Sequence, residues 1–239
     1  LWVREYEGLS MLVDERFREW TAGLDAQDAI ISVFEHIRDI PYSLAVPKTD
    51  QDTAPEQILS LGKGYCGPKH YLISEMYRRM GYEVVYATFP FLWDDPDLRY
   101  PTELRQLANG LPVAHHMACR VRINNRWVLV DATWDLPLKR AGFPVNENWD
   151  GLADTLCAVK SLQSVMRTAF CRTATNKLYR NGCDMQLNPC DGEQDHWDAD
   201  AHARFYRGKT GMRSADEIER IRRFNREFDM WLQEIRERP

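Results

Sequence analysis

The sequence lacks any apolar run long enough to cross a bilayer as a helix. It also lacks a signal-like start: LWVREYEGLS mixes charges with aromatic residues, and the chain opens at Leu1 rather than Met. A cytoplasmic location is the expectation. There is no basic excess. Lys and Arg number 31 against 36 Asp and Glu, a formal charge of −5, which argues against a general nucleic-acid binder. Cysteine is scarce, with 6 in 239 residues, too few for a disulfide scaffold. The absence of any Cys-x-x-Cys pair removes the main support for zinc-finger or thioredoxin chemistry. Gly62-Lys63-Gly64 lacks Walker spacing, and Asp94-Asp95-Pro96-Asp97 lacks the alternation and glycine of an EF-hand loop. His196-Trp197-Asp198-Ala199-Asp200-Ala201-His202 fits no zinc spacing in a helical or hairpin register. The expectation is no cofactor, no metal, no membrane and no nucleic acid.

What is present is ordinary for a folded domain: 44% hydrophobic and 28% charged residues. Residues 1–140 read as a helical N-terminal part plus a catalytic core. Residues 141–239 read as an extension of the same domain. Asp25 is a plausible N-cap for a helix carrying Ile30, Phe34 and Ile37, stopped near Pro41. Thr53 to Glu56 resembles a capping box for a short helix. A third helix follows Cys66, with Leu72, Ile73, Met76, Tyr77 and Met80 on one stripe and Gly81 just beyond it. Strands are predicted over 83–89, 113–123 and 126–133, the last two joined by a tight Asn124-Asn125 turn. Residues 90–112 read as a long surface loop. Ser214 to Glu217 is a capping box for a helix near 215–236, expected to pack on the core rather than to face a partner. Cys157, Cys171, Cys183 and Cys190 fall close enough in sequence to pair, and the residues leave that open.

Cys66 lies in the glycine-rich mouth of its helix, Gly62-Lys63-Gly64-Tyr65-Cys66-Gly67. Unpaired amides and the positive helix end favour thiolate over thiol there. The amide of Cys66 itself is placed to donate to an oxyanion. A cysteine that is merely packed needs no glycines on both sides. Strand parity then selects a base. A two-residue turn at Asn124-Asn125 puts Asp131 opposite Ala118, so His116 shares its face, one diagonal of about 7–8 Å away. His115 points to the other face, with Met117, Cys119, Val121, Ile123, Val128 and Val130, an apolar set suited to a core. Cys119 is therefore read as structural. Asp135 shares the face of Asp131 and is the reserve orienter.

Together these residues resemble the transglutaminase-like core over about 60–135. The resemblance rests on Gly64-Tyr65-Cys66, on Met76-Tyr77-Arg78-Arg79-Met80-Gly81-Tyr82, and on His116 followed by Trp127 and Val130-Asp131-Ala132-Thr133-Trp134. It is closest in pattern to the family's archaeal and bacterial branch. It departs at Ala118, where the family usually has an aromatic residue. The resemblance implies a papain-like α+β fold, in which the cysteine helix packs on an antiparallel sheet supplying His and Asp. It implies a Cys66, His116, Asp131 triad acting on amide bonds through a thioester. Tyr42, Tyr65 and Trp134 are the oxyanion or substrate-groove candidates. A cysteine peptidase or amidase acting on a protein or peptide is the favoured activity. A protein-glutamine transglutaminase, or a binding module on the same fold, is the alternative.

Overall fold

The computed structural model describes residues 11–47, 49–162 and 214–238. Helices α1 (Met11–Thr21), α2 (Ala26–Arg38), α3 (Ala54–Leu61) and α4 (Cys66–Arg79) lead the chain. Strand β1 (Val84–Phe91), helix α5 (Thr102–Ala108) and strands β2 (Ala114–Ile123) and β3 (Arg126–Val130) follow. A 3-10 turn spans Leu136–Ala141, and α6 (Ala215–Glu237) is the long C-terminal helix. The strands form one antiparallel sheet in the order β1-β2-β3. The result is the mixed arrangement of helices and a small antiparallel sheet expected of a papain-like α+β core.

The β2–β3 turn sets the register. Asn124 and Asn125 have φ of 48° and 62°, the left-handed pair of a two-residue hairpin. Cys119 consequently pairs with Val130, and Val121 with Val128. Met117, Cys119, Val121, Ile123, Val128 and Val130 all face one side and are buried. Helix α4 lays Leu72, Ile73, Met76 and Tyr77 into the same core cluster, each 0% exposed. Each such burial is worth about 1.5–3 kcal/mol. Tyr77 Oη donates to the Ile30 carbonyl at 2.7 Å, which ties α4 to α2 without leaving a buried hydroxyl unpaired. Gly81, at φ 87°, ends α4.

Local signals were read correctly at some helix ends and not at others. Asp25 caps α2, accepting from the Asp28 amide at 2.9 Å. Ser214 and Glu217 form the expected capping box of α6. Thr53 precedes α3, but its side chain makes no cap bond to that helix. Its hydroxyl donates to Asp50 at 2.7 Å instead. Glu56 is drawn away as well: its carboxylate accepts from the amides of Leu12 and Val13 and so caps α1. A capping box needs both side chains free; a local partner has claimed Thr53 and a tertiary one Glu56.

The 90–112 region is not one long loop. It contains the end of β1 and the whole of α5, whose Leu104 and Ala108 are buried. These pack beneath α6, which contributes Phe224, Phe228, Trp231, Leu232 and Ile235 to a second core with Tyr42, Trp134, Leu138 and Phe143. α6 thus packs on the body of the protein. Prolines and acidic residues hid α5 from a pattern reading. Residues 143–158 run irregularly along β3. The Thr155 amide donates to the Leu129 carbonyl at 3.0 Å, and Asp154 accepts from the Leu129 amide at 2.7 Å. Among the described residues no helix is long and apolar enough to cross a membrane. Cys171, Cys183, Cys190 and the 196–202 run lie outside the described residues.

Candidate active site

Cys66 is the first residue of α4 and carries a free thiol. Its neighbours are small for definite reasons. A Cβ at Gly64 would lie 2.7 Å from Ile58 Cδ1, and one at Gly67 would lie 2.9 Å from the Tyr65 ring. Gly64 also pairs with the Pro41–Ser43 segment: its amide donates to Pro41 O at 3.0 Å and its carbonyl accepts from Ser43 at 3.1 Å. That bridge brings Tyr42 beside the mouth of α4.

His116 sits on β2, opposite Phe89 of β1, with which it stacks at 6.1 Å between ring centroids. Asp131 follows the last residue of β3. The diagonal predicted from turn length closes as a hydrogen bond of 2.8 Å between His116 Nε2 and Asp131 Oδ2. Both residues are almost fully buried, at 2% and 1% exposure. Cys66 lies near enough to act on the His116 imidazole. With Nε2 turned to Asp131, Nδ1 is the nitrogen left for the thiol.

Electrostatics follow from this geometry. Burial works against a charged His116, but the charge of Asp131, its hydrogen bond, and the nearby Cys66 outweigh burial and raise the imidazole well above its usual range. Burial likewise opposes an ionised Asp131. The His116 charge and hydrogen bond, with help from His70 and Thr133, hold its carboxyl well below the usual range. The buried pair is best described as imidazolium and carboxylate. Four donors saturate that carboxylate. Oδ2 takes His116 Nε2 and the Ala158 amide at 2.7 Å, while Oδ1 takes the Thr133 hydroxyl at 2.6 Å and the Thr133 amide at 3.2 Å.

The three groove candidates have distinct settings. Tyr42 is buried against Trp134, ring centroids 4.4 Å apart. Burial, then the Cys66 charge, raises its phenol well above the ordinary value. Burial and the Cys66 charge raise Tyr65 also. Both phenols therefore feel the charge of Cys66. Trp134 is buried against Tyr42, and its indole N–H donates to the Ala158 carbonyl at 2.8 Å, so it is not free to serve an oxyanion. Asp135 is not an orienter. Its carboxylate is held by Arg236 of α6 and the Tyr42 amide.

Three side chains around the site lie outside the sequence reading of it. His70, one turn after Cys66, lies beneath the site and is 0% exposed. The i to i+4 spacing from Cys66 is a legible signal for it. Lys69 is equally buried, and its Nζ donates to the carbonyls of Arg38, Ile40 and Thr133, each at 2.8 Å. Cys157 is a free thiol beside the His–Asp pair, not a disulfide half. Its sulfur and ligand atoms of His116 and Asp131 lie within 4.8 Å of one another. That set has metal-capable chemistry, but the saturated carboxylate suits it to a hydrogen-bond role. Burial, then the Asp131 charge, pushes the Cys157 thiol up to about 11, so it stays protonated at neutral pH.

Residues 17–132, a span that includes Cys66, His116 and Asp131, match the transglutaminase-like superfamily. The chain carries a transglutaminase-like core. No curated protein matches it. Among solved structures it is similar to a candidate cysteine protease from Cytophaga hutchinsonii, at 16% identity and a TM-score of 0.39. That likeness covers 54% of this chain and 38% of the other, so this chain spans little more than a third of that protein. Within the transglutaminase-like core, Ala118 occupies the position where an aromatic residue is usual. It is 0% exposed, in a small cluster with Ala87 and Leu129, so it belongs to the packing of the sheet there.

Proposed function

We propose that the chain is a cysteine peptidase or amidase working through a thioester. The match to the transglutaminase-like superfamily supports a cysteine-based enzyme. The peptidase or amidase reading is supported above all by an imidazole that Asp131 holds through Nε2 with Cys66 close by.

The reaction divides into two acyl transfers. His116 takes the Cys66 proton as the sulfur attacks the amide carbonyl carbon. The oxyanion forms beside the mouth of α4, where the Cys66 amide lacks an intrahelical partner. His116 passes the proton to the leaving nitrogen, the carbon–nitrogen bond breaks, and a thioester remains on Cys66. His116 then takes a proton from water, the hydroxide attacks the thioester, and the carbon–sulfur bond breaks to release the acid. Asp131 keeps the imidazole in one orientation and stabilises its cation throughout. A lysine amine in place of water would give crosslinking with the same residues.

A peptide-amide mixture incubated with the protein and hydroxylamine tests this reading, because hydroxylamine intercepts a thioester as a hydroxamate. Hydroxamate formation that disappears in Cys66→Ala is the expected result. Amide cleavage retained by Cys66→Ala would eliminate the mechanism. Adding a primary amine probe to the same reactions distinguishes hydrolysis from crosslinking.

A further inference from the structure

His70 plays no part in the proton transfers above, yet it touches both halves of the site. Its Nδ1 lies 2.8 Å from the Cys66 carbonyl oxygen. Its Nε2 lies 3.2 Å from the Ala132 amide nitrogen. An amide N–H only donates, so Nε2 must accept. A carbonyl oxygen only accepts, so Nδ1 must carry the proton. One neutral tautomer satisfies both bonds, and a cationic ring would set an N–H against the Ala132 N–H. Burial favours the same neutral form and lowers the group to about 4, although the Asp131 charge opposes this. Asp131 Oδ1 stands 3.6 Å from Nε2, beyond a hydrogen bond. The ring meets His116 edge-on, with centroids 6.0 Å apart.

We infer that His70 is a positioning residue, a neutral splint joining the backbone of Cys66 to the residue that follows Asp131. It fixes the spacing between the thiol at the helix mouth and the carboxylate at the strand end. The inference rests on reading Cys66, His116 and Asp131 as the triad. The neighbouring Lys69 ammonium reaches Thr133 from the same turn of α4, but its three hydrogen bonds go to Arg38, Ile40 and Thr133, so it does not duplicate the splint. Removing the ring leaves the buried Ala132 amide without its acceptor and lets the two halves drift. A displacement of about 1 Å in such a site costs roughly 100-fold in rate.

Two measurements test the splint. The first is a long-range proton–nitrogen NMR spectrum of the imidazoles of the unaltered protein. His70 is expected as a neutral ring protonated on Nδ1 from about pH 5.5 to pH 8. A ring protonated on Nε2, or a cation in that range, overturns the inference whether or not any variant folds. The second is the rate of Cys66 alkylation by iodoacetamide, read by peptide mass spectrometry. In His70→Phe the rate near pH 6.5 is expected to fall by roughly tenfold or more. Near pH 10.5, where a thiol ionises unaided, it is expected to stay within about twofold. His70→Gln, which keeps one donor and one acceptor, is expected to recover most of the loss. A folded His70→Phe with an unchanged rate near pH 6.5 overturns the inference. Failure of the triad reading looks different: His116→Ala would then alkylate as fast as the unaltered protein, while the His70 tautomer would be unaffected.

Discussion

Arg236 grips Asp135 with a two-pronged fork, Nε to Oδ2 and Nη2 to Oδ1, each at 2.8 Å. The same Nη2 donates to the Tyr42 carbonyl at 2.9 Å, and the Tyr42 amide donates to Asp135 Oδ1 at 2.9 Å. Two turns earlier on α6, Asp229 accepts from the Ser43 hydroxyl and from the amides of Leu44 and Ala45. The C-terminal helix therefore holds the 42–45 segment that lies against Gly64 and the mouth of α4. Asp135 is 2% exposed. Arg236→Met strands that charge and is expected to lower the stability to urea by about 2–4 kcal/mol. Asp135→Asn combined with Arg236→Met should lose less than Arg236→Met alone, because no unpaired charge remains.

Lys69 offers a second, independent prediction. Its three ammonium donors meet three carbonyls, of Arg38, Ile40 and Thr133. Methionine fills similar space with no donor and leaves three buried carbonyls unpaired. Lys69→Met is expected to cost about 3 kcal/mol or more in equilibrium denaturation. A loss below about 1 kcal/mol would show that water replaces the ammonium.

The pH dependence of stability follows from His70. Its folded value is lowered from 6.5 to about 4, so between these values the unfolded chain binds the extra proton. The His70 contribution should therefore be full above 6.5 and decline as pH falls towards 4, by up to about 3 kcal/mol over the 2.5 units. His116 and Asp131 act outside this window. The contribution of His116, whose value is raised, is complete below 6.5 and is lost as pH rises through its folded value. That of Asp131, whose value is lowered, is present above 3.8 and is lost as pH falls below that. Urea denaturation at several pH values checks the slope, and His70→Phe should flatten it.

The hairpin turn can be probed by one substitution. Asn125 has φ 62°, a conformation that β-branched residues resist. Asn125→Val is expected to cost about 1 kcal/mol and to lower Tm without altering Cys66 reactivity. A neutral effect would mean that the turn does not hold the register.

Much of the site was legible because short-range rules governed it. A two-residue turn fixes parity, parity puts His116 and Asp131 on one face, and a glycine-rich helix mouth marks Cys66. The buried stripe of α4 and the caps of α2 and α6 obey local periodicity in the same way. What was missed depends on distant partners. Glu56 was taken for part of a local box, but it caps α1. Helix α5 lies under prolines and is held by α6, more than a hundred residues away in sequence. Cys157 and the Ala158 amide reach Asp131 from an irregular segment with no periodic pattern. Asp135 was a reserve orienter until Arg236, on a helix far along the chain, took its carboxylate.

The central claim is that His116, made cationic by Asp131, activates Cys66. The most direct measurement is the iodoacetamide alkylation rate of Cys66 near pH 6.5, in the unaltered protein, His116→Ala and Asp131→Asn. The expected result is a rate at least roughly tenfold lower in His116→Ala, an intermediate rate in Asp131→Asn, and little labelling of buried Cys119. Equal Cys66 rates in all three proteins would contradict the claim.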